Sequence, residues 1–292
     1  MKRKHTAIVL AAALLASTSL LAATASAQSG SRTARTAGRI LYHDGQVMTG
    51  WSNVYFIWYG CWTCGMPGTD PGVAQIVGEF VATFGNSAYA RILTTYPDGS
   101  GAAPYGSFVY SGAAYDSLYS HGASLTMTDV EGVISDTILS GALPLDLKGI
   151  YVVLVSPDVT VPGLDAGACH YHGVKDVVGA QVRYAALNNP RRMVPGFCGP
   201  TASDQMSAQG NWVADTLVSM LAYEINATVT NPSDNGWFDR YGLEAPDKCA
   251  GTYGTTYKAA NGATVNVNIG GHEFLLHQNW VNTGKGFCGL HQ

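Results

Sequence analysis

Val54-Tyr55-Phe56-Ile57-Trp58-Tyr59 is an unbroken run of aromatic and branched side chains, closed by Gly60. Such residues fit the pleated strand. A strand with one wet face alternates apolar and polar residues, so a run without alternation predicts a strand covered on both sides. Ile150-Tyr151-Val152-Val153-Leu154-Val155 repeats the pattern further along. Segments of helical periodicity separate the two, which predicts an α/β fold, a mixed β-sheet with packed helices.

Three helices are predicted from apolar stripes of three-and-four spacing. The first carries Val73, Ile76, Val77, Phe80, Val81 and Phe84; the second carries Val130, Ile134, Ile138 and Leu139 and ends at Gly141. In the third, Val213, Leu217, Met220, Leu221 and Ile225 recur behind Asn211, a plausible N-cap. Thr228, Val229 and Thr230 form helix poorly and Pro232 disfavours helix at Asn231, so this helix is expected to end near Ala227.

Shorter extended pieces are expected at 90–94, 106–110 and 182–186, and at 39–43 and 46–49 flanking an Asp44-Gly45 turn. Residues 188–199 read as a Pro-rich loop, and Cys169 to Gly173 as a loop stapled by Cys169. His272 to His277 reads as a terminal strand held by Cys288.

Lys2-Arg3-Lys4, the apolar run that follows, and Ala25-Ser26-Ala27 have the layout of a secretory signal peptide over residues 1–27. A flexible leader is expected over 28–38 and a single domain over 39–292. Removing the three leading basic residues takes the formal net charge from −4 to −7. An acidic chain argues against nucleic acid or an anionic membrane as partner. No later apolar stretch is long enough to span a bilayer, so a secreted, extracellular product is expected. Charged residues make up 12% against a usual value of about 25%.

All six cysteines, Cys61, Cys64, Cys169, Cys198, Cys249 and Cys288, follow the expected cleavage point. In an exported chain an even count predicts disulfides, here in sequence order. Cys61-Trp62-Thr63-Cys64 follows a buried strand, the place of a thioredoxin-type redox pair. Gly65, Pro67, Gly68 and Pro71 delay the next helix, however, which favours a structural bridge.

Glu224 stands seven and eleven residues after Leu217 and Val213, on the buried stripe of the third helix. A buried carboxylate needs a cation, a metal or strong donors. Tyr223-Glu224-x-x-Ala227 has the layout of the zinc motif His-Glu-x-x-His with both histidines replaced, a zincin-like helix with a degenerate metal motif. The competing reading is an amphipathic helix with one hydrogen-bonded glutamate. Glu244 and Asp247, just before Cys249, could complete an oxygen-rich cation site with it. His170 and His172 would share one face of a strand and could add nitrogen donors.

Several blocks in order carry a resemblance. Tyr42-His43-x-Gly45-x-Val47-x-Thr49, Val54-Tyr55-x-Ile57-Trp58-Tyr59-Gly60 and Tyr119-Ser120-His121-Gly122-x-x-Leu125-Thr126 come first. Ile150 to Leu154 with Asp158-Val159, Cys169-x-x-His172-Gly173, Thr230-Asn231-Pro232, Glu244-Ala245-x-x-x-Cys249 and Phe274-Leu275-Leu276 follow. Together they resemble the exordium, or phosphate-induced-protein, family over nearly all of the chain after its leader. The resemblance implies a secreted protein linked to growth and nutrient response, with no defined reaction; the basic leader marks a microbial member. It also implies relatives with His-Glu-x-x-Glu and Thr-Asp-Pro where this chain has Tyr223-Glu224-x-x-Ala227 and Thr230-Asn231-Pro232.

The leading expectation is therefore a non-catalytic, exordium-like protein, a pseudoenzyme that binds an unidentified cell-wall or extracellular ligand without a cofactor. The alternative is a secreted zinc-dependent hydrolase with Glu224 as base and an atypical metal set, zinc or calcium, drawn from Glu224, Glu244, Asp247 and His172. Thiol–disulfide exchange at Cys61 and Cys64 is the third reading.

Overall fold

A computed structural model describes residues 38–65, 69, 71–165, 168–193 and 207–292. The expected signal peptide, the leader before Gly38 and Cys198 lie outside the described residues. The two apolar runs form β2 (Gly50–Tyr59) and β4 (Gly149–Val155), which pair in parallel at the centre of a five-stranded sheet. With β3 (Pro104–Asp116), β5 (His170–Val177) and β6 (Ala180–Leu187), the strand order is β3-β2-β4-β6-β5. Four strands run parallel; β5 is the antiparallel edge, paired to β6 by the turn at Val178 and Gly179.

Alternate residues of the central strands serve opposite layers, as a two-residue period requires. Val54, Phe56, Trp58, Ile150, Val152 and Leu154 belong to one core cluster. The apolar stripes of α1 (Pro71–Phe84) and α3 (Trp212–Thr230) complete that cluster. Tyr55, Ile57, Tyr59, Tyr151, Val153 and Val155 belong to the other, with the stripe of α2 (Met127–Leu139). A reciprocal capping box between Thr126 and Asp129 opens α2.

The strands after α3 form short two-stranded ribbons. β7 (Trp237–Phe238) pairs with β1 (Leu41–Tyr42). β8 (Tyr257–Lys258) pairs with β9 (Thr264–Val265), β10 (Val267–Ile269) with β11 (His272–Phe274), and β12 (Asn279–Val281) with β13 (Phe287–Gly289).

Two expected disulfides, Cys61–Cys64 and Cys249–Cys288, are formed. Cys169 is also disulfide-bonded. Among the described residues no helix is long and apolar enough to cross a membrane.

Five local expectations are corrected. Residues 90–95 form a 3-10 helix rather than a strand. The Ala90 amide donates to Ser87 Oγ, and the Thr94 and Thr95 hydroxyls donate back to the Arg91 and Ile92 carbonyls. Helix α3 continues past Ala227 to Thr230, because Thr230 donates to Asn226 O and the whole last turn is buried. Burial outweighs the weak propensity of those residues.

The Asp44-Gly45 segment closes no hairpin: β1 takes β7 as its partner, and Gly45 packs so close to Asn235 that a Cβ would stand 2.1 Å from its carbonyl oxygen. Residues 170–173 are strand rather than loop. Cys288 holds β13 to Cys249, while His272 to Phe274 are held by β10.

Phe56 is fully buried and packs against Trp58 and Tyr110. Phe56→Ala is expected to lower the unfolding free energy by about 3–5 kcal/mol, read from the urea midpoint. A change below about 1 kcal/mol would place this ring outside the core.

Candidate functional site

The antiparallel register sets His170 opposite Leu187 and His172 opposite Ala185. Leu187 and Ala185 belong to the core layer that α3 covers, so both imidazoles face α3. Glu224 projects from the buried stripe of α3, only 2% exposed. Its Oε1 meets His170 Nδ1 in a short hydrogen bond. Its Oε2 lies 3.0 Å from His172 Nδ1, off the hydrogen-bond axis, so that contact is ionic.

The opposite nitrogen of His172 looks toward the loop that follows α3. Nε2 is 3.3 Å from the Asn231 carbonyl and 3.4 Å from Glu244 Oε1. Asn231 holds that loop from both ends of its amide: Nδ2 donates to Glu244 Oε1 at 2.6 Å, and Oδ1 accepts from the Gly236 amide at 2.6 Å. Gly236 is required there, since a Cβ would stand 2.5 Å from the Thr230 carbonyl. Asp247 accepts from the Glu244 amide at 2.9 Å and, in a short hydrogen bond, from the Tyr223 hydroxyl. The Tyr223 ring packs against His170, with centroids 4.6 Å apart.

A cleft of about 430 Å³ opens over this cluster, with His170, His172, Glu224, Asp234, Glu244 and Asp247 on its walls. The structure thus gathers all four residues proposed from sequence, Glu224, Glu244, Asp247 and His172, into one place. Glu224 Oε1, Glu244 Oε1, both Asp247 oxygens and His172 Nε2 have protein hydrogen-bond partners, whereas Glu224 Oε2 has none. The helical zinc motif itself does not fit: the Tyr223 hydroxyl is donated to Asp247, and Ala227 carries no donor.

Charge explains how an acid survives at this depth. Burial opposes ionisation of Glu224, but the charge of and hydrogen bond from His170, followed by the close approach of His172, outweigh it and hold the carboxyl at about 2, below its ordinary 4.5. Burial likewise opposes the His172 cation, yet Glu224 and then Glu244 raise it to about 12 from 6.5. Burial raises Glu244, and His172 and Asn231 only partly reverse that. The two carboxylates flanking His172 therefore differ, Glu224 firmly ionised and Glu244 displaced toward its neutral form.

Below the cluster, His277 accepts from the Gly251 amide at Nδ1 and reaches the Tyr253 hydroxyl at 3.0 Å through Nε2. Burial, and then the charge of His170, lower its pKa to about 4, which keeps it neutral.

His172 and Glu224 were each visible in sequence, but Asp234 and the contact of β5 with Glu224 were not. The two-residue spacing of His170 and His172 identified a shared face. No local signal says what that face meets.

A folded-state pKa below the unfolded one means that Glu224 contributes stability above pH 4.5 and loses it as pH falls toward about 2. His172 has the opposite sign, contributing below 6.5 and losing its contribution as pH rises toward about 12. Glu224→Gln is expected to flatten the loss of stability between pH 5 and pH 2, measured by urea unfolding at each pH. An unchanged slope would mean that the clamp does not bias protonation.

The sequence model of the family described as "Phosphate-induced protein 1 conserved region" matches residues 40–277. "Protein EXORDIUM-like 3" of Arabidopsis thaliana is 29% identical over 277 residues, covering 83% of this chain and 80% of its own length. "Protein EXORDIUM-like 5" of the same plant is 29% identical over 269 residues, covering 82% and 74%. "Protein PHOSPHATE-INDUCED 1" of Nicotiana tabacum is 24% identical over 241 residues, covering 73% and 72%. No solved structure matches the chain. With a family match that runs from β1 through the Glu224 cluster to His277, the chain belongs to the phosphate-induced protein 1 family, together with its EXORDIUM-like relatives.

Proposed function

We propose that this protein is exported, by a microbial type of signal, and acts at the cell envelope or outside the cell by binding rather than by catalysis. Three features support export: the basic, apolar and small-residue segments of the leader, the formed disulfides, and the relatives in the family.

The non-catalytic part rests on one observation. The Glu224 carboxylate is enclosed by His170 and His172, while the flanking helix positions hold a committed phenol and an alanine. A general base needs a free lone pair within reach of the proton it removes. Here both oxygens face imidazoles, and an acid held near 2 is a weak base at neutral pH. Hydrolysis by the helical zinc mechanism would need two donors that this helix lacks.

The test has two arms. Expression with the native leader is expected to yield product outside the cytoplasm with Gln28 at its N-terminus, identified by mass spectrometry. The purified protein is expected to release no peptide from unfolded casein above the level of Glu224→Gln. Cytoplasmic retention with residues 1–27 intact would overturn export, and Glu224-dependent hydrolysis would overturn the binding reading.

A further inference from the structure

We propose that the mouth of the cleft is a divalent-cation site of zinc type, built from His172, Asp234 and Glu244, a donor set different from that of the helical motif. One donor atom from each of these residues lies within 4.8 Å of the other two. Two of the three sit in adjacent structure, Asp234 in the turn after α3 and Glu244 in the loop that Asn231 ties to the same turn. His172 comes from β5, so the cation would join the edge of the sheet to the loop beyond α3.

One of the three donor spacings already matches zinc, and the exposed Asp234, within 4.8 Å of the other two, would close on the ion. Donors about 2.0–2.2 Å from a tetrahedral zinc ion stand about 3.3–3.6 Å from one another. His172 Nε2 and Glu244 Oε1 are 3.4 Å apart. That nitrogen hydrogen-bonds the Asn231 carbonyl at 3.3 Å in the metal-free protein, so zinc would displace its proton.

A second observation points the same way. Glu224 is among the residues around this cleft, and its buried Oε2 has no hydrogen-bond partner, yet sits 3.0 Å from His172 Nδ1. A carboxylate behind one imidazole nitrogen leaves the other facing the metal, the arrangement common to metal-bound histidines. An imidazole beside two carboxylates selects zinc over calcium or magnesium, which prefer all-oxygen surroundings. Asp234 is exposed and sits at a φ of 56°, at the cleft rim.

The site does not depend on the absence of hydrolysis: zinc uptake without peptide cleavage satisfies both readings, and lack of uptake removes this one alone. Protein stripped with EDTA and exchanged into chelator-free buffer is titrated with ZnCl2 by calorimetry, with CaCl2 and MgCl2 in separate runs. One equivalent of zinc is expected to bind, with at most weak heats from the other two. Asp234→Asn and Glu244→Gln are each expected to raise the zinc Kd by about tenfold or more. Asparagine tolerates the left-handed backbone at 234, so that variant keeps the fold, checked by its metal-free melting curve. No zinc binding, full affinity in both variants, or a preference for calcium over zinc would each overturn the proposal.

Discussion

The structure turns on the removal of one ionised carboxylate from water. An isolated charge buried to the extent of Glu224 costs several kcal/mol, and only close opposite charge with good geometry offsets it. His170 and His172 supply that charge from a neighbouring element, and this requirement fixes more than a side chain. It sets which face of β5 turns toward α3, and hence the register with β6 that places Leu187 and Ala185 on the same side. A slip of one residue would turn both imidazoles away and leave the acid unpaired. The edge strand, which has a neighbour on one side only, is thus held in register partly by electrostatics from the helix above it.

The same logic extends along the loop after α3. Asp239 and Lys248 form a buried pair at 3.0 Å with side chains 2% and 0% exposed. Tyr223 closes on Asp247, and Asn231 on Glu244. Asp239, Glu244 and Asp247 thus have partners within the segment or on α3, and the Cys249–Cys288 bridge ties its end to β13. Removing one member of such a pair is more damaging than the pair itself is stabilising, because the other charge stays buried. The segment therefore behaves as a unit, with little regular structure but few free degrees of freedom.

Much of the fold was legible because it depends on local pattern. Unalternating runs marked β2 and β4 as central, and three-and-four spacing located α1, α2 and α3. The inward direction of Glu224 followed from its place on the stripe. Failures came where distant contacts override local preference. Thr230 stays helical because its surroundings are buried and its hydroxyl bonds back to Asn226. Residues 90–95 coil because Ser87 and two threonines cap and brace them. Asp44-Gly45 looks like a hairpin turn, but Gly45 is there for close approach to Asn235. The meeting of His170 with Glu224 spans 54 positions, and no spacing rule reaches that far.

Positions 223 and 227 then have a physical reading. In a helical zinc site the nitrogens that face the glutamate's neighbourhood come from the helix itself, one turn apart. Here the imidazoles near Glu224 come from β5, and both contact the carboxylate. A tyrosine at 223 reaches past that point to Asp247, and the small Ala227 packs wholly inside the core. The outward nitrogen of His172, with Asp234 and Glu244, becomes the part of the cluster that still faces the cleft. The strand and the loop supply these cleft-facing groups, and α3 contributes the charge beside them.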